Sequence, residues 1–445
     1  MNGTTEETPA TDPAPARKPA NRWIIALWGT WLQLFLGTVY AWSYFQQPLV
    51  DTYGWAHTSV AWTFSLAICF LGLAAAWGGT KLPRYGARKL AAIGGVLFGL
   101  GYLLAAAALQ GRCLLLLYVG YGVIGGTGLG LSYVTPVATV AKWFPDKKGL
   151  ATGLVIMGFG FGALLMSKVI APALCRWAEG NLVTVFVWLG LCFMAATLLG
   201  ASQLRDPPPD YATPRGASSA APMGPGNPSS AAANSLPSAV KIVSPRFATM
   251  WMIFFCNIVA GISIIGFQSP IFQDLWRRLD PTLSTETLAS YGATLIAVSA
   301  LFNGAGRMVW GGLSDRIGRL LAFRLMLATQ LAVFLLLIGT ESPWLFGALI
   351  CYVLLCYGGG FGTMPSFILD VFGAGRMPQV YGVILTAWSA AGIVGPQIVA
   401  FLKDHDAEHA ATHSFYIGAG FLAVGLFLSF LLSARSPLEP GAQGA

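Results

Sequence analysis

Apolar residues in this chain gather into long runs, and polar residues gather between them. A helix rises 1.5 Å per residue, so about 20 apolar residues cross a hydrocarbon core of roughly 30 Å. Twelve runs are long enough. The first six are 23–50, 57–80, 88–109, 112–141, 147–173 and 181–203, and the second six are 246–274, 285–313, 319–340, 343–371, 377–402 and 412–434. The pattern predicts an all-α membrane protein with twelve transmembrane helices in two six-helix halves, 23–203 and 246–434. Segment 204–245, rich in Pro, Ser, Ala and Gly, reads as a flexible linker that cannot build a core. Residues 1–22 and 435–445 read as polar tails, the first of them disordered. No cleavable signal is expected, because the first run is too long for a signal h-region.

Composition agrees. Of 445 residues, 55% are hydrophobic and 10% charged, against about 25% charged in soluble domains. The net charge of +8 forms no patch that would suggest nucleic acid. It follows sidedness instead. With the N-terminus inside, 19 Lys and Arg fall in inner segments and 5 in outer ones, which places both termini and the linker in the cytoplasm of a multi-pass cell (inner) membrane protein. The seven Cys show no metal-ligand spacing and read as small apolar fillers. No metal site or cofactor is expected, and the chain reads as a monomer.

The halves repeat. After the second run comes GGTKLPRYGARKL (78–90), and after the eighth GGLSDRIGRLL (311–321). Both place Gly, then Arg-x-Gly, then Arg, at the same point of a six-helix unit: Arg84, Gly86 and Arg88 in one, Arg316, Gly318 and Arg319 in the other. Gly lets such a loop turn tightly and the basic residues hold it at the inner face. Parallel six-helix repeats are a known transporter plan, with substrate near the midplane. Here the chain resembles the major facilitator superfamily, whose signature G-x-L-x-D-R-x-G-R is matched by Gly311, Leu313, Asp315, Arg316, Gly318 and Arg319. The first copy has Pro83 at the Asp position, so a strong charge latch is not expected there. The resemblance implies that these loops act as conformational switches.

Residues 299–319, SALFNGAGRMVWGGLSDRIGR, carry the main chemical clue. Arg307 lies eight residues before Asp315, so roughly 12 Å deep, where a charge costs a few to over ten kcal/mol. All 18 Asp and Glu fall in tails, in loops or at span ends, so no fixed counter-ion is available at that depth. A midplane cation of this kind suits a mobile anion, and a carboxylate matches its planar fork. The alternative is a structural arginine bonded to carbonyls of a neighbouring helix. Asn303 shares its helix face at i−4. Tyr133 and Tyr357 add phenols in spans expected to face the cavity, and the first span offers Tyr40.

Four segments carry a closer resemblance: GTVYAWSYFQQPL (37–49), LGLSYVTPVATVAKWFPDKKGLATGL (129–154), FNGAGRMVWGGLSDRIGR (302–319) and YGVILTAWSAAGIVGP (381–396). Together they resemble the oxalate/formate antiporter family, which includes bacterial lactate carriers. The resemblance implies that Arg307 binds the substrate carboxylate, with Asn303, Tyr133 and Tyr357 around it. The oxalate exchanger of that family has a second cation, a lysine in its eleventh helix, where Trp388 stands here. One arginine balances one charge. The expectation is therefore a secondary transporter of a monocarboxylate such as L-lactate, pyruvate or formate, working by alternating access, with a proton or counter-anion as the second partner. Asn303 cannot titrate, which favours exchange or uniport. The alternatives are an oxalate/formate-type exchanger using Lys168 as second cation, or a non-transporting sensor on the same fold.

Other signals read more plainly. YGVIGGTGLGLSY (121–133) and GFGFGALL (158–165) mimic glycine loops but lie inside apolar spans, so close helix packing is expected. His405, His409 and His413 sit at helical spacing in an outer loop and read as solvated. A membrane enzyme would need a nucleophile with a base at one depth, and no His, Asp or Glu lies inside a span.

Overall fold

The computed structural model describes residues 21–144, 148–208, 244–372 and 377–432. Most of the expected tails and linker, and Arg376, lie outside the described residues.

Among those residues, twelve helices are long and apolar enough to cross a membrane. They are α1 (Arg22–Tyr53), α2 (His57–Leu82), α3 (Ala87–Gln110), α4 (Leu114–Trp143), α5 (Ala151–Trp177), α6 (Leu182–Gln203), α7 (Pro245–Leu279), α8 (Thr285–Ile317), α9 (Arg319–Leu337), α10 (Pro343–Phe372), α11 (Gln379–His405) and α12 (Ala410–Leu431). Each falls on one apolar run, with ends moved by a few residues. Only a helix satisfies its own backbone in lipid, so runs this long fold this way. Exposed Leu73, Ile93, Leu115, Leu336, Phe401 and Phe430 face outward from the bundle, as lipid contact requires.

Four starts are capped locally. Asn21, Asn181, Ser244 and Ser284 accept from main-chain N–H groups of α1, α6, α7 and α8. The repeat is visible in the backbone. The turn after α2 pivots on Gly86 (φ 76°, ψ 154°) and the turn after α8 on Gly318 (φ 89°, ψ 148°). Both lie in a region that favours glycine. These turns carry Arg84, Arg88, Arg316 and Arg319, and their side of the bundle is called the basic face below. Arg319 pairs with Asp315 at 2.5 Å and Asp370 at 3.1 Å, tying α8, α9 and α10 together. Among the described residues no ion pair holds Arg84 or Arg88.

Helices α1–α6 pack together as one half and α7–α12 as the other. The halves meet where α5 runs along α8, α2 along α11 and α1 against α7. Glycines permit these approaches. A Cβ on Gly160 would lie 2.6 Å from the Cα of Gly304, and one on Gly72 would lie 2.6 Å from the Leu385 carbonyl oxygen. The two glycine-rich stretches that mimic phosphate loops sit at such crossings: Gly126, Gly128 and Gly130 against α2 and α3, and Gly158, Gly160 and Gly162 against α1 and α8.

Candidate functional site

Arg307 lies ten residues before the end of α8 at Ile317, roughly 15 Å into the bundle at 1.5 Å per residue. It is 1% exposed and is the one charged side chain in the buried interior of the described residues. Its position depends on α10. A Cβ on Gly362 would sit 2.1 Å from the Arg307 carbonyl oxygen, and one on Gly358 would sit 2.0 Å from that of Asn303. Bare glycine backbone on α10 therefore lets α8 come in close at the two residues singled out from sequence.

The guanidinium reaches across to the other half. Its Nη1 donates to the Ile156 carbonyl oxygen on α5 at 3.0 Å. Its centre lies 5.6 Å from the Phe159 ring of α5 and 5.2 Å from the Phe361 ring of α10, a cation between two aromatic rings. Nε and Nη2 have no hydrogen-bond partner. The structural role considered from sequence is thus present in part: one carbonyl bond is made, and two donors are left over.

The other expected residues converge around it. The Tyr357 hydroxyl bonds that of Tyr40 across the halves at 2.6 Å. Tyr40 is aimed by a tightened 3₁₀ stretch of α1, Gly37–Ala41, where Gly37 presses on the Phe159 backbone. Trp388 is fully buried, with ring centroids 5.4 Å from Tyr133 and 4.7 Å from Phe361. The Tyr133 hydroxyl, Trp388 Nε1 and Asn303 Oδ1 are buried without partners. A small cavity lined by Tyr40, Gln268, Ile296, Ser299 and Asn303 continues from here away from the basic face.

Three site residues escaped the sequence reading: Phe159, Phe361 and Tyr381. Phe159 contacts Tyr40, Tyr133 and Trp388 and lies at the centre of the aromatic cluster. It was hidden in GFGFGALL, which read as packing. Tyr381 is buried and lies within electrostatic reach of Tyr133 and Arg307. It precedes Trp388 by seven residues, close to two helical turns, a spacing that could have found it.

Lys168 is elsewhere. It is exposed and donates to the Thr294 hydroxyl on α8 at 2.6 Å. Thr294 is thirteen residues from Arg307, roughly 20 Å along the helix. The histidines do not converge on a metal: among the described residues no group of His, Cys, Asp or Glu could hold one. His409 and His413 instead flank Asp406. The hydrogen bond with His409 holds this carboxyl below its ordinary range.

The sequence matches the Major Facilitator Superfamily over residues 26–396. The chain belongs to that superfamily. Its similarity to the oxalate:formate antiporter of Oxalobacter formigenes is 25% identity, over 84% of this chain and 83% of the relative. With human monocarboxylate transporter 11 it is 29%, over 85% and 75%. The fold is that of a D-xylose-proton symporter, with a TM-score of 0.69, 15% identity and coverage of 93% of this chain and 99% of the other. The protein is thus a multi-pass membrane transporter of the major facilitator fold, with carboxylate carriers among its relatives.

Proposed function

We propose that this transporter carries small monocarboxylate anions, such as L-lactate, pyruvate or formate, by alternating access, with Arg307 binding the carboxylate. The carrying observation is the state of Arg307: a buried cation with Nε and Nη2 unpartnered, at the boundary between the halves. A buried donor left unsatisfied costs about 1–3 kcal/mol, more when charged. A carboxylate supplies two acceptors in the geometry of the fork and the missing charge together. Tyr133, Tyr381 and Trp388 offer further donors, and Asn303 Oδ1 offers an acceptor for a hydroxyl. Phe159 and Phe361 wall the guanidinium, and the adjoining cavity adds aliphatic Ile265, Ile296 and Leu354, which suits a short organic anion.

The placement of Lys168 supports a monoanion over oxalate, since no second cation among the described residues is brought to Arg307. The same site favours exchange. Without an anion, the closed form buries a guanidinium with a single hydrogen bond, so the loaded carrier crosses more readily than the empty one. The basic face is assigned to the cytoplasm by the Lys and Arg count.

The test is uptake of radiolabelled L-lactate into proteoliposomes, with and without internal lactate, for the parent protein and Arg307→Gln. The expected result is uptake stimulated by internal substrate, competed by monocarboxylates better than by oxalate, and at least 100-fold slower in the variant. A folded variant that transports like the parent would make Arg307 purely structural.

A further inference from the structure

The N-terminus of α2 lacks a cap of its own. The capping position holds Ala56, and no side chain of that segment accepts from the first turn. Its first two main-chain donors are nonetheless satisfied, from the other half of the molecule. Asp404, one residue before the end of α11, accepts from the His57 N–H through Oδ1 at 2.9 Å. Its Oδ2 accepts from the Thr58 N–H at 2.8 Å and from the Thr58 hydroxyl. A carboxylate is also the favoured charge at a helix N-terminus. The helix end is therefore completed only while the two halves touch at the face opposite the basic loops.

We propose that Asp404 is the latch of that face: it caps α2 in trans when the face is closed and releases it each time the face opens. The lever is long enough. Mid-helix, α2 and α11 touch at Gly72, which meets Ser389 and Leu385. Asp404 lies fifteen residues beyond Ser389, roughly 22 Å further along the helix. A relative rotation of about 15°, comparable to known rigid-body switches, moves a point at that distance by about 6 Å. No hydrogen bond survives such a movement. The mid-helix contact can persist as a pivot while the latch breaks. The Tyr40–Tyr357 bond closes the same side nearer the site. Between the two runs the small cavity that includes Ile296.

The test places a reporter cysteine at Ile296, which is fully buried in the closed form. The background has the seven native cysteines replaced, and the protein is held in lipid nanodiscs so that both faces meet the reagent. A membrane-impermeant thiol reagent then reads how often this face opens. Asp404→Ala is expected to raise the labelling rate about fivefold, the population change that matches one lost cap at tenfold per 1.4 kcal/mol. Asp404→Asn, which keeps one acceptor oxygen, falls between. The deciding variant is Asp404→Ala combined with Ala56→Asp. Its α2 is capped locally, so thermal stability returns to the parent value while fast labelling remains. It also serves if Asp404→Ala alone does not fold. Labelling at the parent rate in Asp404→Ala, or slow labelling restored by the local cap, overturns the proposal. The labelling reads geometry alone, so its failure is separate from any failure of the carboxylate reading.

Discussion

Replacing Gly362 by Ala adds one methyl group at a tight crossing of α8 and α10. That Cβ would lie 2.1 Å from the Arg307 carbonyl oxygen and 2.8 Å from its Cα, where ordinary contact begins at 3.4 Å. Both obstructing atoms are backbone, so no rotamer change relieves them. The helices must separate by about 1 Å, and overpacking of this kind costs about 1–3 kcal/mol. The separation falls on the residue that carries the site cation, and misplacement of a site by 1 Å can cost about 100-fold. The expected result for Gly362→Ala is a lower Tm and a fall in lactate Vmax/KM of one to two orders of magnitude. Gly420→Ala in α12 is the control, since a Cβ there meets nothing within 4 Å. It should leave transport unchanged and stabilise slightly, by up to about 1 kcal/mol from helix propensity alone. Parent-like Tm and uptake in Gly362→Ala would refute the claim that glycine contact between α8 and α10 sets the site.

Phe159→Leu and Phe361→Leu each remove one aromatic ring beside the guanidinium while keeping apolar bulk. A cation–π contact of about 0.5–2 kcal/mol predicts a rise in lactate KM of roughly two- to thirtyfold, and an unchanged KM in both would show that the rings serve only as packing. Lys168→Gln should leave both lactate uptake and the weak competition by oxalate as they were; a selective loss of oxalate competition would return Lys168 to the site.

The architecture was written plainly in the sequence because lipid leaves the backbone so few choices. A run such as 343–371 has one stable form in a membrane, and the structure gives Pro343–Phe372. The paired Arg-x-Gly segments were equally legible, since Gly86 and Gly318 take φ values that favour glycine. Arg307 stood out because charge at that depth is rare. What surrounds it was harder to read. Phe159 and Phe361 are ordinary apolar residues in apolar helices, and only the packing of α5 and α10 makes them neighbours of a cation. The Ile156 carbonyl could not be foreseen, because a main-chain acceptor has no sequence signature. The eleventh apolar run ends at 402, which leaves Asp404 outside it; α11 runs on to His405, and the carboxylate caps a helix whose Thr58 lies 346 residues away in the chain.

The repeat also allows a comparison within the molecule. Eleven residues before Gly318 stands Arg307, and eleven residues before Gly86 stands Ala75, also fully buried. Fifteen residues before them stand Asn303 and Leu71. A scaffold with near-twofold symmetry thus has a centre with none. If Arg307 binds the carboxylate as proposed, a cargo that fits such a centre has a charged head and an uncharged remainder, and its head is held by the second half alone.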